Sequence, residues 1–260
     1  MPNGVIELSY WQVSIAFIFV VLLLFMLKRR GISRERTLIL ASVRMTFQLV
    51  LVGYILLVVF DNAHPLLTLA ILIIMIGFAI FTLFNKFKTD LNPRLKRVIL
   101  IAMPLGTVPV LLIFLWGVIG VTPYYNPQYF IPITGMIVGN SMTGISLGIH
   151  TMLKRFNHQR AEVEEALVLG ATPKQASHDI INDAFDSAIM PTLNSMLGMG
   201  IIFLPGMMTG QILSGLDPTL AIMYQIAIML GILGGVSLTT YLFLMMGYKT
   251  FFNSSQQLNE

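Results

Sequence analysis

The chain has 260 residues, 56% of them hydrophobic and only 11% charged, with a mean hydropathy of +0.80. A soluble domain carries about 25% charged residues, so this composition excludes a globular protein built on one large core and indicates a polytopic membrane protein. The absence of cysteine excludes disulfides, thiolate metal sites and cysteine nucleophiles together, and the net charge of +4 falls in separate loops, which argues against nucleic acid as a partner.

Met1 to Gln12 holds no Lys or Arg, so the basic start of a cleavable signal peptide is not expected. Tyr10 and Trp11 stand where an interfacial aromatic belt would lie. The apolar run that follows reaches Leu27 and is closed by Lys28-Arg29-Arg30, then Arg34 and Arg36, the pattern of a transmembrane helix. A second span is predicted over about Leu38 to Phe60, with Asp61, Asn62 and His64 at its end. A third runs from about Leu66 to Asn85 and closes on Lys86, Lys88, Arg94, Lys96 and Arg97. The fourth, about Val98 to Val121, contains Pro104 and Pro109 and is expected to be kinked or broken. After the uncharged loop Thr122 to Gln128 comes a fifth span, about Tyr129 to Leu153, and then a charged insert at about 154–188. A sixth span (about Ile189 to Leu213), the tight turn Ser214 to Pro218 and a seventh span (about Thr219 to Tyr248) complete the chain. The expected fold class is all-α, a transmembrane helical bundle of about seven spans forming a single domain over 1–260.

Seven spans fix an orientation. With the N-terminus outside and the C-terminus cytoplasmic, the segments 28–37, 86–97, 154–188 and the C-terminal tail share one side. They hold fifteen of the sixteen basic residues, and the sixteenth, Arg44, lies inside the second span. This asymmetry is the positive-inside pattern of a multi-pass protein of the cell (inner or plasma) membrane.

The insert is the one long stretch of mixed charge. Glu162, Glu164 and Glu165 occupy the first turns of a short helix, where acids complement the helix dipole. Gly170 ends it as a C-cap glycine; after Ala171, Thr172 is an N-cap and Pro173 an N1 proline for a second short helix. Val163, Ala166, Leu167 and Gly170 give the first helix one weakly apolar face. Such a face, held outside a membrane bundle, suits docking onto a soluble partner, and it equally fits an ordinary loop helix.

Within the spans, Gly135, Gly139, Gly144 and Gly148 give the fifth two small-xxx-small pairs, which let backbones approach in lipid. Asn140, Ser141 and Thr143 are costly against acyl chains, so they are expected to face protein or water. The sixth span repeats the theme with Asn194, Ser195, Gly198, Gly200, Pro205 and Gly206, and its Pro-Gly pair predicts a discontinuous helix. Gln48, Asn140, Ser141, Asn194, Ser195, Met207 and Met208 are the candidates for a translocation path, with helix packing as the alternative for the same residues. Arg44, one turn from Gln48, is expected to form a structural ion pair, with a carboxylate of the insert as one possible partner. Asp61, His64 and Asp217 are candidate ligands for a hard metal ion, although their spacing defines no site. The seventeen methionines offer soft sulfur or flexible packing. No Gly-x-Ser-x-Gly, His-Glu-x-x-His or phosphate-binding loop is present, and the four histidines build no constellation, so the chain is not expected to be an enzyme or to bind a cofactor.

Glu164-Glu165-Ala166, three residues, then Gly170 is similar to the Glu-Ala-Ala-x-x-x-Gly core of the coupling loop in bacterial ABC-importer permeases. The later Ile-x-Leu-Pro part of that motif is displaced: Ile180-Ile-Asn-Asp183 stands at its usual spacing, and Ile189-Met-Pro191 is the nearest analogue. A closer resemblance, from about Arg44 to Tyr248, is to the FetB-like family, permeases of an iron-exporting ABC system that also include plant aluminium-tolerance proteins. It rests on Pro132 to Met142, Leu169 to Ala176, Phe203 to Leu213 and Gly215 to Pro218. The resemblance implies a membrane permease that pairs with itself and binds two copies of a separate ATPase, which would carry the ATP and Mg. It implies export of a metal ion such as iron, with a non-metal substrate as an alternative. Coupling to the ATPase would then fall on Glu164, Glu165, Ala166, Gly170, Ala171, Thr172 and Pro173. The competing class is an ATP-independent secondary transporter or channel, which predicts proton-carrying acids inside the spans; none lies well inside one.

Overall fold

A backbone in hydrocarbon must satisfy its own hydrogen bonds, so long apolar runs are expected to emerge as continuous helices. In the computed structural model, which describes residues 8–253 and 255–258, they do. Residues 1–7 of the stretch expected to lack a basic leader lie outside the described residues. The first span is α1 (Tyr10–Ala16) and α2 (Ile18–Arg29), hinged at Phe17. It is followed by α3 (Glu35–Asp61), α4 (Pro65–Lys86), α5 (Pro93–Leu112) and α6 (Pro127–His158). The insert forms α7 (Arg160–Val168) and α8 (Pro173–Ala176), after which come α9 (His178–Gly198), α10 (Gly206–Leu213) and α11 (Pro218–Gly247). Among the described residues, six helical segments are long and apolar enough to cross a membrane, counting α1 and α2 as one, and there is no β-strand.

The fourth and sixth predicted spans take different courses. Pro104 and Pro109 do not break α5, which runs through both and then widens into a π-helix over Ile113–Ile119. A proline removes one donor from the ladder, and a neighbouring wide turn absorbs the mismatch. The sixth span is discontinuous, as its Pro-Gly pair predicts. It is divided by a turn over 199–205, in which Gly200 adopts φ +83° and donates its N–H to the Phe203 carbonyl, and Pro205 precedes α10. The predicted spans of about seven are therefore six continuous ones among the described residues, with the discontinuous pair α9–α10 in the place of the sixth. Helix α9 also starts eleven residues before the predicted span, at His178, so the soluble part of the insert is shorter than 154–188.

Sequence chemistry sets the helix starts. Pro65, Pro93, Pro127 and Pro218 each stand at a helix start behind a polar cap whose side chain accepts a backbone N–H: His64, Asn92, Asn126 and Asp217.

The core lies among α4, α5, α6, α9 and α11. Helices α6 and α11 run parallel, because Ile137 meets Gly235, Gly144 meets Thr240 and Gly148 meets Leu244. Helix α5 runs antiparallel to α11, with Phe114 on Gly231, Gly106 on Thr239 and Leu95 on Gly247. Small residues sit where backbones come closest: a methyl on Gly144 would stand 2.8 Å from Val236 Cγ1, and one on Gly235 would stand 2.8 Å from Ile137 Cγ2. Of the four predicted packing glycines, Gly144 and Gly148 line this seam and Gly135 meets Met75 of α4. Gly139 faces open space. Helices α1 to α3 are peripheral, with Val59 the one buried residue described among them.

Candidate functional site

A cleft of about 310 Å³ opens between α6, α9, α10 and α11. Its polar lining is Asn140, Thr143, Thr192, Ser195 and Gln225, interleaved with thioethers including Met199 and Met207. Asn140 donates through Nδ2 to the Met136 carbonyl at 2.8 Å, and Ser195 donates to the Pro191 carbonyl at 2.9 Å. Each polar group is thus tied to its own helix while its remaining capacity faces the cleft. The discontinuity between α9 and α10 makes this space: Met199, Phe203, Pro205 and Gly206 of the break all line it. No carboxylate, imidazole or basic side chain is among the lining residues.

Of the seven path candidates, the structure brings Asn140, Ser195 and Met207 into this cleft. Met208 is buried and lines an adjoining cavity of about 420 Å³. Ser141 is fully buried in the α6–α11 seam, near Gly235, and its hydroxyl has no partner there. Asn194 is exposed beside Ser195, outside the cleft lining, and Gln48 is half-buried on peripheral α3, which contributes no residue to that lining. Sequence reasoning missed Gln225. It is buried, its Nε2 donates to Met199 Sδ at 3.7 Å, and it lines both cavities, so the Met199–Gln225 pair partitions them. The signal was available, since Gln225 is the one amide in the α11 run.

The expected ion pair of Arg44 is not formed. Its guanidinium lies 5.2 Å from the Phe78 ring centroid, a cation–π contact between α3 and α4, and no carboxylate pairs with it among the described residues. The acids of the insert lie with α7 and α9, whereas Arg44 is on the peripheral helix. Replacing Arg44 by Gln is therefore expected to cost about 0.5–1 kcal/mol in detergent unfolding. A loss several times larger would restore the ion-pair assignment.

Asp61, His64 and Asp217 do not converge; no group of three or more potential His, Asp or Glu ligands occurs among the described residues. Two of them are engaged as caps: His64 Nδ1 accepts from Leu66 N–H, and Asp217 accepts from Thr219 and Leu220 N–H.

The insert folds as its local chemistry predicts. Gly170 takes φ +93°, and its N–H donates to Leu167 while that of Ala171 donates to Ala166, which closes α7. Thr172 caps α8 in a reciprocal box with Gln175, and Pro173 is its first residue. The predicted apolar face points the other way from expectation. Val163 is buried in the bundle core and Ala166 and Leu167 are half-buried, so this face anchors the insert, because a weakly apolar stripe covers the nearest hydrophobic surface first. What faces outward is Val168 and Leu169, 86% and 81% exposed at the tip, with exposed Glu164 and Glu165 behind them. An apolar pair directly before a capping glycine is the signal that sequence reasoning passed over. The base is braced by Arg155 of α6 pairing with Asp183 of α9 at 2.5 Å, and by Phe156 stacked on Phe251 at 4.2 Å. These contacts tie the base of the insert to α9 and to the short turn that follows α11.

The profile of the family described as "Uncharacterised protein family (UPF0014)" matches residues 10–252. The chain is 31% identical to "UPF0014 membrane protein YjkA" of Bacillus subtilis, over 97% of this chain and 99% of that protein. It is 31% identical to "Probable iron export permease protein FetB" of Escherichia coli, over 95% and 93%. It is 30% identical to "Protein ALUMINUM SENSITIVE 3" of Arabidopsis thaliana, over 94% and 87%. No solved structure gives a significant match.

Proposed function

The chain belongs to the UPF0014 family of multi-pass membrane proteins, and on that premise we propose that it is the permease subunit of an ATP-binding-cassette exporter whose cargo is a metal ion such as iron. The observation that carries the proposal is the α7–α8 insert: a rigidly capped hairpin, anchored at Val163, that presents Val168, Leu169 and flanking acids away from the bundle. Exposed apolar residues rimmed by charge mark a protein-docking surface. The FetB relative is named for iron export, which supports the direction and the cargo. Two copies of a soluble ATPase, carrying ATP and Mg, would dock on two copies of this chain. In this arrangement the insert and basic segments are cytoplasmic, consistent with the charge asymmetry.

In the mechanism, closure of the ATPase pair displaces the α7–α8 tip. Val163 and the Arg155–Asp183 pair pass the displacement to α6 and α9, the two helices that carry Asn140 and Ser195. Helix α9 ends at the 199–205 turn, so its movement alters the cleft between Met199 and Gln225. Access switches only if the docked ATPase contacts the two arrangements unequally.

The test is co-purification from detergent with the candidate ATPase, comparing wild type with Glu164→Lys/Glu165→Lys. Wild type is expected to retain the ATPase and stimulate its turnover. The charge-reversed variant, still monodisperse, is expected to retain at least tenfold less. Equal retention by both would remove the insert as coupling element, and no retention by either would remove the ATPase partner.

A further inference from the structure

We propose that the turn between α2 and α3 is a binding site for the headgroup of an anionic phospholipid. Residues 28–36 hold five basic side chains, Lys28, Arg29, Arg30, Arg34 and Arg36, and one acid, Glu35. Setting these six aside leaves eleven basic and eleven acidic residues, so the whole formal charge of +4 resides in this one turn. Topology alone does not require that concentration, because the segments 86–97 and 154–188 and the C-terminal tail carry ten further basic residues on the same side.

None of the five makes an ion pair among the described residues, whereas Arg155 and Arg160 of the insert are held by Asp183 and Glu164. All five are thus free to meet an anion from outside the chain. The geometry defines its shape. Arg29 and Arg30 stand one helical turn beyond Phe25 and Met26, and the four side chains line a groove of about 500 Å³. The groove is apolar on the membrane side and doubly cationic at its mouth. Ile32, 45% exposed in the turn itself, adds a further apolar contact at the interface. A phosphodiester above an acyl chain matches this arrangement, and paired guanidinium groups suit phosphate oxygens. The surrounding surface is free for lipid, since no described residue of α1 or α2 is buried by protein. A lipid bridging this turn would also supply what the peripheral hairpin lacks, an anchor beyond its sparse packing on the bundle.

Native mass spectrometry of the full chain in neutral detergent, offered equal phosphatidylglycerol and phosphatidylcholine, tests the proposal. Wild type is expected to retain phosphatidylglycerol selectively, and increasingly less as salt is raised. Arg29→Gln/Arg30→Gln is expected to lose about 25-fold in retention, at about fivefold per basic residue near an anionic surface. Arg29→Lys/Arg30→Lys should keep most of it, and Lys96→Gln/Arg97→Gln, at the same end of the bundle, should keep all of it. Equal retention of both lipids by wild type, or equal losses in the two Gln pairs, would overturn the proposal. Displacement of the lipid by millimolar inorganic phosphate would also overturn it, in favour of a free-anion site. If the first Gln pair fails to fold, the wild-type preference and its salt dependence still decide the outcome.

Discussion

Val168→Asp/Leu169→Asp is expected to abolish retention of the ATPase while leaving the permease folded. The two side chains are among the most exposed apolar residues outside the spans, so a partner's groove that buries them gains two apolar anchors. Two apolar anchors of about 1.5–2 kcal/mol each correspond to a loss of roughly a hundredfold or more in affinity. Val163→Asp makes the informative contrast. It places a carboxylate in the core where the insert is anchored, so it should lower the unfolding temperature as well as ATPase binding. A pull-down combined with detergent melting separates the two. If the tip variant binds as wild type does, docking uses another surface, and the coupling role of the insert fails.

Gly106→Leu is expected to prevent recovery of a monodisperse protein. A Cβ at this position would fall onto the backbone and side chain of Thr239, so α5 and α11 must separate along their crossing. Overpacking in a close-packed interior costs about 1–3 kcal/mol where side chains yield, and more where the obstacle is backbone. Gly139→Ala is the matched control: nothing stands within 4 Å of its Cβ, and its melting temperature should not fall. Size-exclusion profiles and melting of the two variants check this. A folded Gly106→Leu protein would mean that α5 does not pack on α11 at this register.

These two variants also show where sequence patterns stop being informative. Gly135, Gly139, Gly144 and Gly148 are equivalent as a small-xxx-small pattern, yet only Gly144 and Gly148 meet α11, because the pattern does not encode which helix approaches or at what offset. The tightest crossing uses Gly106, whose small partner at that spacing is Ala102, in a span the glycine count did not single out. Gln225 was legible as a lone amide in an apolar run, but its pairing with Met199 depends on where the α9–α10 break falls. Arg44 was legible as a charge needing company, but the company is an aromatic ring on the neighbouring helix.

By itself the sequence determined whatever depends on local or averaged chemistry. Span positions follow from runs of apolar residues, the charge asymmetry from counting, and the insert's caps at Gly170, Thr172 and Pro173 from side chains acting on backbone a few residues away. The break beside Pro205-Gly206 was legible as well, although α5, which runs through Pro104 and Pro109, shows that a missing donor alone does not interrupt a helix. Only the tertiary structure decided which face points where: that Val163 turns inward and Val168 and Leu169 outward, that α6 and α11 run parallel, and that Asn140 and Ser195 share one cleft while Gln48 does not. In a chain this apolar nearly every helix face can meet lipid at little cost. The choice of partner face then falls to the fit of small residues against large ones across separate helices, and periodicity along one helix carries no record of that fit.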